Sequence, residues 1–423
     1  MDCLVQVLEA NITETLPERS GLAFDGWSEN GVHYLAVFAV GPGIPGGKVL
    51  LGFSPFDSED DLSAEEHKFY IETLLDYYHK TMDNVAYFVG DNCATNQKLA
   101  RICDTPMIGC NSHKLNLAVM RWLGTYVDAD NIHQLDADQL KRRRLLEKLS
   151  KLMSKLKTIK GKALLARFTD YVALKANETR WNGNYRMVRR FITFKDELNL
   201  LISEGGPIAR EVAALMPTGI DILDINEIDV ALTQFQSVSL LLQKADGEIN
   251  LDDVRVFFDK LIDDYGDHMT HHLAADADIV CSPVFESAVI KLLNDQPLTA
   301  TEARAARCLE QQAGEEAASV AEQEGVAENH EVAENHDDYA LNLLSSSRKK
   351  RRITKKYIDV SLLPVSSNVV ERFFSQVKLN LTNLRNNLLP STLEILMFLK
   401  MNRHLWGPLQ VQKAMNMPVP ADE

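Results

Sequence analysis

The chain has 423 residues, of which 45% are hydrophobic and 25% charged, and its formal net charge is −15. This length supports two or three packed domains, and the charge excludes a protein that binds nucleic acid over its whole surface. We find no apolar run of transmembrane length and no signal peptide, so a membrane partner is not expected. The six cysteines are scattered without a closely spaced pair, which favours a reducing compartment and predicts neither disulfides nor structural zinc.

The first part of the chain alternates between strand and helix patterns. After an apolar N-terminal helix within residues 1–20, strands are predicted at 21–28, 32–40 and 48–53, followed by a helix from Ser63. Acidic residues precede that helix, where they favour its dipole: Asp57, Glu59, Asp60 and Asp61. Next come a strand at 85–89, a helix at 94–103, a strand at 107–110 and a further helix to Val119. An antiparallel meander followed by alternating helices and strands is typical of the α/β class, and this order predicts a ribonuclease-H-like fold with a mixed five-stranded sheet.

Two aspartates stand out in this pattern. Asp25 lies on the first strand, and Asp91 follows the fourth strand at the Gly90 break. Many such aspartates only cap helices or form turns. On neighbouring strands, however, the two carboxylates can hold two divalent ions about 3.5–4 Å apart for phosphoryl transfer.

The middle of the chain has a helical pattern with a basic surface. Apolar residues recur at helical spacing from Gln139 to Ile159, and lysines including Lys148, Lys151 and Lys155 cover the polar face. Such a face is either solvated or contacts a DNA backbone. Residues 125–298 are expected to be α-helical throughout.

A biased segment follows at 299–364. It is rich in Ala and Glu, repeats VAENH at 326–330 and 332–336, and is expected to be disordered. The basic run at 348–352 is either a solvated linker or a nuclear-import signal or DNA tether. Beyond it, the segment Ser366-Ser367-Asn368 is expected to cap a helix that contains Glu371, and another helix begins near Pro390.

Five motifs in order resemble those of hAT-superfamily transposases: FDGWS, FVGDNCATN, GCNSHKLNLAV, ETRWNGNY and SSNVVERFFSQVK. The resemblance covers residues from about 20 to about 405. It implies a ribonuclease-H-like domain in two parts, 21–124 and 365–405, interrupted by the helical insertion at 125–298 and the linker at 299–364. It also implies that the second part includes a hAT dimerisation region before a tail at 406–423. Family members usually carry an upstream zinc finger, for which this sequence has no Cys and His pairs, so a truncated or domesticated copy is one expectation.

The resemblance also implies roles for individual residues. Glu371 matches the family's third carboxylate, which would complete an Asp25–Asp91–Glu371 triad binding two Mg²⁺ or Mn²⁺ ions. Arg180 would hold phosphate while Trp181 stacks on an extruded base, although Trp181 could instead anchor a helix. Cys110 and His113 are either a buried thiol with a hydrogen-bonded histidine, or a motif beside the active site in which His113 contacts DNA or orients a carboxylate.

Two functions are therefore expected as alternatives. The first is a nuclear, DNA-cleaving and strand-transferring protein that uses a two-metal DDE mechanism and acts on transposon ends or non-specific DNA as a homodimer or larger homo-oligomer. The second is a transposase-derived nuclear protein that binds DNA and dimerises without cleaving it.

Overall fold

A computed structural model describes residues 1–29, 31–56, 62–126, 135–176, 180–244, 248–311, 338–347, 356–381 and 388–417. Its centre is a mixed, open sheet of the order β3-β2-β1-β4-β5. β1 pairs antiparallel with β2 and β2 with β3, whereas β4 runs parallel to both β1 and β5. The predicted α/β class and five-stranded mixed sheet are thereby confirmed. The strands are β1 (Ser20–Glu29), β2 (Val32–Val40), β3 (Lys48–Pro55), β4 (Val85–Gly90) and β5 (Met107–Gly109).

Helices flank this sheet and account for most of the remaining described residues. β4 is buried along its whole length, as expected for a strand covered on both faces. No helix in the described part of the chain is long and apolar enough to cross a membrane. The helices are α1 (Asp2–Thr15), α2 (Ala64–Tyr77), α3 (Ala94–Ile102), α4 (Asn111–Trp122), α5 (Ala137–Lys157), α6 (Ile159–Leu165), α7 (Asn182–Glu204), α8 (Pro207–Leu215), α9 (Gly219–Leu242), α10 (Leu251–Tyr265), α11 (Asp267–Leu273), α12 (Pro283–Leu293), α13 (Ala300–Ala305), α14 (Asp338–Ser347), α15 (Asn368–Asn380), α16 (Pro390–Met401) and α17 (Pro408–Met415).

The predicted disordered linker at 299–364 differs in part from the structure. α13 begins in a capping box in which Glu302 accepts hydrogen bonds from Thr299 and Lys291. A 3-10 helix follows, and its Leu309 is fully buried. These contacts give residues 299–311 a packed position that their Ala/Glu-rich composition does not indicate. The VAENH repeat, the basic run at 348–352 and the acidic run before α2 all lie outside the described residues.

α15 joins the C-terminal part of the chain to the sheet through aromatic side chains. The ring of Phe373 lies 4.8 Å from that of Phe53 on β3, and the ring of Phe374 stacks at 5.8 Å on Trp27 of β1. Both phenylalanines are buried, and each buried aromatic ring contributes roughly 1.5–3 kcal/mol of transfer free energy. This packing fixes the first turn of α15, which holds Glu371, against the sheet.

Asn402, directly after α16, binds the outer edge of β3. Its Oδ1 accepts from the Leu50 amide at 3.0 Å, and its Nδ2 donates to the Leu50 carbonyl at 2.9 Å. The side chain is fully buried. A side-chain amide thus satisfies both outward-facing backbone groups of Leu50, which would otherwise be buried without partners.

We expect Asn402→Ala to lower the free energy of unfolding by about 1–3 kcal/mol, because it leaves a buried donor and a buried acceptor unpaired. Urea denaturation followed by circular dichroism measures this loss. Asn416→Ala is a matched control, because Asn416 is exposed. Equal stability of the two variants would contradict the role given to Asn402.

Candidate active site

Asp25 and Asp91 lie level with each other on the sheet. β1 and β4 are parallel, and Ala23 pairs with Val89. Continuing this register by two residues on each strand brings Asp25 beside Asp91, just past the end of β4. Glu371 reaches the same end of the sheet from the first turn of α15.

The charge of each carboxylate acts on the others. Burial raises the pKa of Asp25 to about 8, and repulsion from Asp91 and Glu371 adds to the rise. The Gly26 amide, which donates to Asp25 Oδ1 at 2.9 Å, and the charge of Arg180 act in the opposite direction. Burial, reinforced by the nearby charges of Asp91 and Glu371, therefore favours the protonated form of Asp25 at neutral pH.

A cavity of about 350 Å³ opens beside Asp91 and Glu371, and Asp25 is not part of its lining. Arg180 Nη2 lies 3.0 Å from Glu371 Oε2, and His113 Nδ1 lies 3.4 Å from Asp91 Oδ2. His113 thus contacts a carboxylate, which is one of the two active-site roles expected for it. The lining residues are Asp91, Ser112, His113, Asn116, Arg180, Trp181, Asn182, Gly183, Arg186, Ser239, Gln243, Asn368 and Glu371.

The donor set suits a hard divalent cation. Asp91 Oδ1 is buried without a hydrogen-bond partner among the described residues, and carboxylate oxygens are the ligands that Mg²⁺ prefers. Within the described ranges, no group of three or more His, Cys, Asp or Glu side chains is arranged to hold a metal ion. Glu371 is engaged by Arg180 instead. A cation would therefore need Glu371 to exchange Arg180 for the ion.

The side chain of Asn92 holds the loop that contains Asp91 against the end of β5. Its Nδ2 donates to the carbonyl of Cys110 at 3.1 Å, which ties the end of β4 to the end of β5. A Cβ atom on Gly109 would lie 1.8 Å from Asn92 Oδ1, so only glycine leaves room for this contact. The thiol of Cys110 is fully buried, and this burial raises its pKa to about 12. Cys110 is therefore a neutral core group, while its motif partner His113 faces the cavity.

Trp181 occupies a different environment from the one expected for base stacking. Only 2% of its surface is exposed, and its ring meets that of Phe235 edge-on at 6.3 Å. Its backbone amide donates to Asn116 Oδ1 at 3.3 Å. An enclosed indole has no free face for an extruded base, so the position of Trp181 fits the alternative, an anchor at the start of α7. Arg180 beside it is exposed and faces the carboxylates.

Two of the three lysines expected to contact DNA are paired within the protein. Lys148 Nζ lies 2.7 Å from Asp221 Oδ2 of α9, and Lys155 pairs with Glu211 of α8. Lys151 is exposed and has no carboxylate partner in the described part of the chain. A phosphate would have to compete with Asp221 and Glu211, so Lys151 is the best placed of the three for such a contact.

Sequence reasoning missed several polar residues of this cavity. Ser112 and Asn116 lie four positions apart in the GCNSHKLN motif and so share one face of α4, together with His113. Asn368 Nδ2 donates to Ser112 Oγ at 3.0 Å, which joins α15 to α4. The helical spacing within the motif could have revealed Ser112 and Asn116, whereas no signal in the sequence shows that Asn368 meets them.

Comparison with models of known protein families gave no match, and a search of curated proteins gave none. A function for this chain is therefore inferred from its carboxylates and their surroundings.

The raised pKa of Asp25 makes the stability of the metal-free protein depend on pH. The pKa of Asp25 in the folded protein, about 8, lies above the ordinary value of 3.8. The stability that Asp25 contributes to the fold is therefore lost as the pH rises from 3.8 to 8, and none of it remains above pH 8. Asp25→Asn removes the charge, so we expect this variant to exceed the wild type in unfolding free energy above pH 8. The expected gain is about 1–3 kcal/mol, less than the full shift implies because Asp25 is only half-buried.

Urea denaturation in EDTA at pH 4, 6 and 9 tests this expectation. The difference between variant and wild type should be smallest at pH 4, because this pH is close to the ordinary pKa of 3.8 and Asp25 is protonated in the folded chain. Asp278→Asn, which changes an exposed carboxylate, serves as the control. A difference that is the same at all three pH values would contradict the buried, charge-coupled position of Asp25.

Proposed function

We propose that this chain is a hAT-transposase-like protein that cleaves DNA and transfers strands through a metal-dependent DDE site. The observation that carries the proposal is the meeting of Asp25, Asp91 and Glu371, from three distant segments, at one end of the sheet. Carboxylates that cluster in a partly buried site, where each raises the pKa of another, are typical of functional sites. Arg180 pairs directly with Glu371, and its charge also lowers the pKa of Asp25.

The topology supports a ribonuclease-H-like catalytic fold. Three antiparallel strands in hairpin order are followed by two parallel strands, each preceded by a helix, as the sequence predicted. α15 returns to this sheet after the helices α5 to α12, which correspond to the proposed helical insertion at 125–298. In such a fold, the carboxylates at this end of the sheet would be the catalytic acids.

The residues of the site suggest a division of roles. Asp25 and Asp91 would hold Mg²⁺ or Mn²⁺, with Glu371 completing the ligand set. When bound, two such ions activate the attacking oxygen and stabilise the leaving oxygen of a phosphodiester. Asp25 must give up its proton to bind a cation, which makes binding stronger as pH rises towards 8. His113 would orient Asp91, and Arg180, once released by Glu371, would hold a phosphate oxygen.

One observation favours the non-catalytic alternative, a transposase-derived protein that binds DNA in the nucleus and dimerises. Arg180 already neutralises Glu371. A domesticated protein can keep such an ion pair as a structural contact. DNA would then be bound by exposed cations such as Lys151 and Arg186, with affinity that falls steeply as salt is added.

Incubation of the full chain with supercoiled plasmid and Mg²⁺ or Mn²⁺ tests the proposal. We expect nicked and linear products that require the metal and disappear with EDTA. A second reaction, in which an oligonucleotide with a free 3′-hydroxyl is joined to the plasmid, tests strand transfer. Metal-independent DNA binding without cleavage under either metal would contradict the proposal and support the alternative.

A further inference from the structure

A second cavity lies at the opposite end of the sheet from the three carboxylates. Arg19 directly precedes β1, Asp83 precedes β4, and Pro106 precedes β5. Because these three strands are parallel, their amino ends meet at one edge, while Asp91 lies beyond the carboxyl end of β4. The second cavity is therefore separate from the candidate active site.

Several elements build this cavity, which has a volume of about 880 Å³. The Met107 amide donates to Ser282 Oγ at 3.0 Å, which attaches the start of α12 to the start of β5. α13 and the 3-10 helix Ala306–Leu309 close another side. Val284, whose side chain is 45% exposed, adds apolar surface to the lining. The volume lies within the range of about 300–1,000 Å³ that is typical of small-molecule sites.

Four exposed arginines surround this cavity: Arg19, Arg101, Arg304 and Arg307. In the described part of the chain, none of them has a carboxylate within ion-pair distance. The cavity also has two aspartates, Asp83 and Asp104, so its lining has a formal charge of +2, four positive charges less two. These four guanidinium groups lack carboxylate partners among the described residues and lie together on a protein whose net charge is −15.

Three thiols also line the cavity: Cys103, Cys281 and Cys308. Burial raises the pKa of Cys103 and of Cys308 to about 11, and it raises the pKa of Cys281 as well, so these thiols are neutral. Neutral thiols are poor metal ligands, and the guanidinium groups repel cations. The ligand that fits this lining is an anion with an apolar part.

We propose that this cavity binds a phosphate ester, with a nucleoside polyphosphate as the ligand of matching size and chemistry. Guanidinium groups bind phosphate oxygens through paired, charge-assisted hydrogen bonds, and several arginines together can hold successive phosphates. The apolar lining offers a surface for a base or sugar. The same guanidinium groups could instead bind a backbone phosphate of DNA, so the two sources of phosphate must be distinguished by experiment.

Calorimetric titration of the full chain with ATP in EDTA tests the proposal, because EDTA prevents nucleotide binding through metal at the carboxylates. We expect saturable binding by the wild type. In the double variant Arg304→Ala, Arg307→Ala it should weaken by about a hundredfold, or about tenfold for each guanidinium group removed. Arg210→Ala, which removes an exposed arginine of α8 outside the cavity, should bind ATP as the wild type does.

A parallel titration with a short DNA duplex distinguishes the two phosphate sources. Binding of ATP that depends on Arg304 and Arg307 supports the small-molecule site. Duplex binding that depends on these two arginines, without ATP binding, supports the phosphate site but identifies nucleic acid as its source. If neither ligand binds, or if neither depends on the two arginines, the proposal is overturned.

Alkylation of the thiols gives a second measurement that does not need a variant. With N-ethylmaleimide in EDTA, we expect ATP to slow the modification of Cys103, Cys281 and Cys308, measured site by site by mass spectrometry. Cys93 is exposed near Asp91 and should react at the same rate with and without ATP. If ATP left the rate of modification unchanged at each of the four cysteines, binding in this cavity would be contradicted.

Discussion

Asp91→Asn is expected to lower metal-dependent DNA cleavage by at least about a hundredfold. Loss of groups that only support metal ligands costs about 10–100-fold, and Asp91 would be a ligand itself. Asparagine keeps the shape of the side chain and can still accept from His113, so the fold should be retained. The rate of plasmid nicking with Mn²⁺ measures the loss of activity. The midpoint of thermal unfolding, measured for the same variant, shows whether the fold is retained.

The exposed Asp278→Asn is the matched control, since it removes one negative charge away from the site. It should cleave at the wild-type rate. If Asp91→Asn also kept the wild-type rate while remaining folded, the carboxylates would have no catalytic role, and the non-catalytic alternative would replace the proposed function.

Trp181→Ala is expected to lower the free energy of unfolding by about 3–5 kcal/mol. The indole is buried between Tyr185 and Phe235, and its removal leaves a cavity that the surrounding helices can fill only in part. Trp181→Phe retains an aromatic ring and should be destabilised less. Denaturation in urea, monitored by circular dichroism, measures the stability of both variants.

Tyr171→Ala provides the control, because this ring is 49% exposed and its truncation should change stability little. If Trp181→Ala were as stable as this control, the indole would not belong to the core, and stacking on an extruded base would again be the better interpretation. DNA binding by Trp181→Ala must be compared at temperatures where the variant is folded.

The strands could be predicted from the sequence because each is a short apolar run bounded by turn residues. Asp25 and Asp91 could be predicted to lie near each other because the predicted fold places their strands side by side. Glu371 could not be placed by spacing, because it reaches the site only through the packing of Phe373 and Phe374 on the sheet. Its position in the triad came from the family resemblance.

Other features depend on contacts between distant parts of the chain. Lys148 and Lys155 belong to a basic helical face in the sequence, but their partners Asp221 and Glu211 lie on helices far along the chain. Composition gives the number of charges and not their pairing. The burial of Trp181 was equally hidden, because the residue precedes α7 and belongs to no apolar repeat.

The contact between Asn402 and Leu50 bears on how the protein avoids self-association. β3 is a terminal strand of the sheet and consists mostly of apolar residues, so its free edge would be a template on which another chain could add a strand. The amide of Asn402 takes the place of the neighbouring strand at Leu50, and α16 packs along the same edge. Asn402, in the turn after α16, therefore occupies backbone groups to which another strand would otherwise bind. We therefore expect substitution of Asn402 to promote self-association in addition to lowering stability.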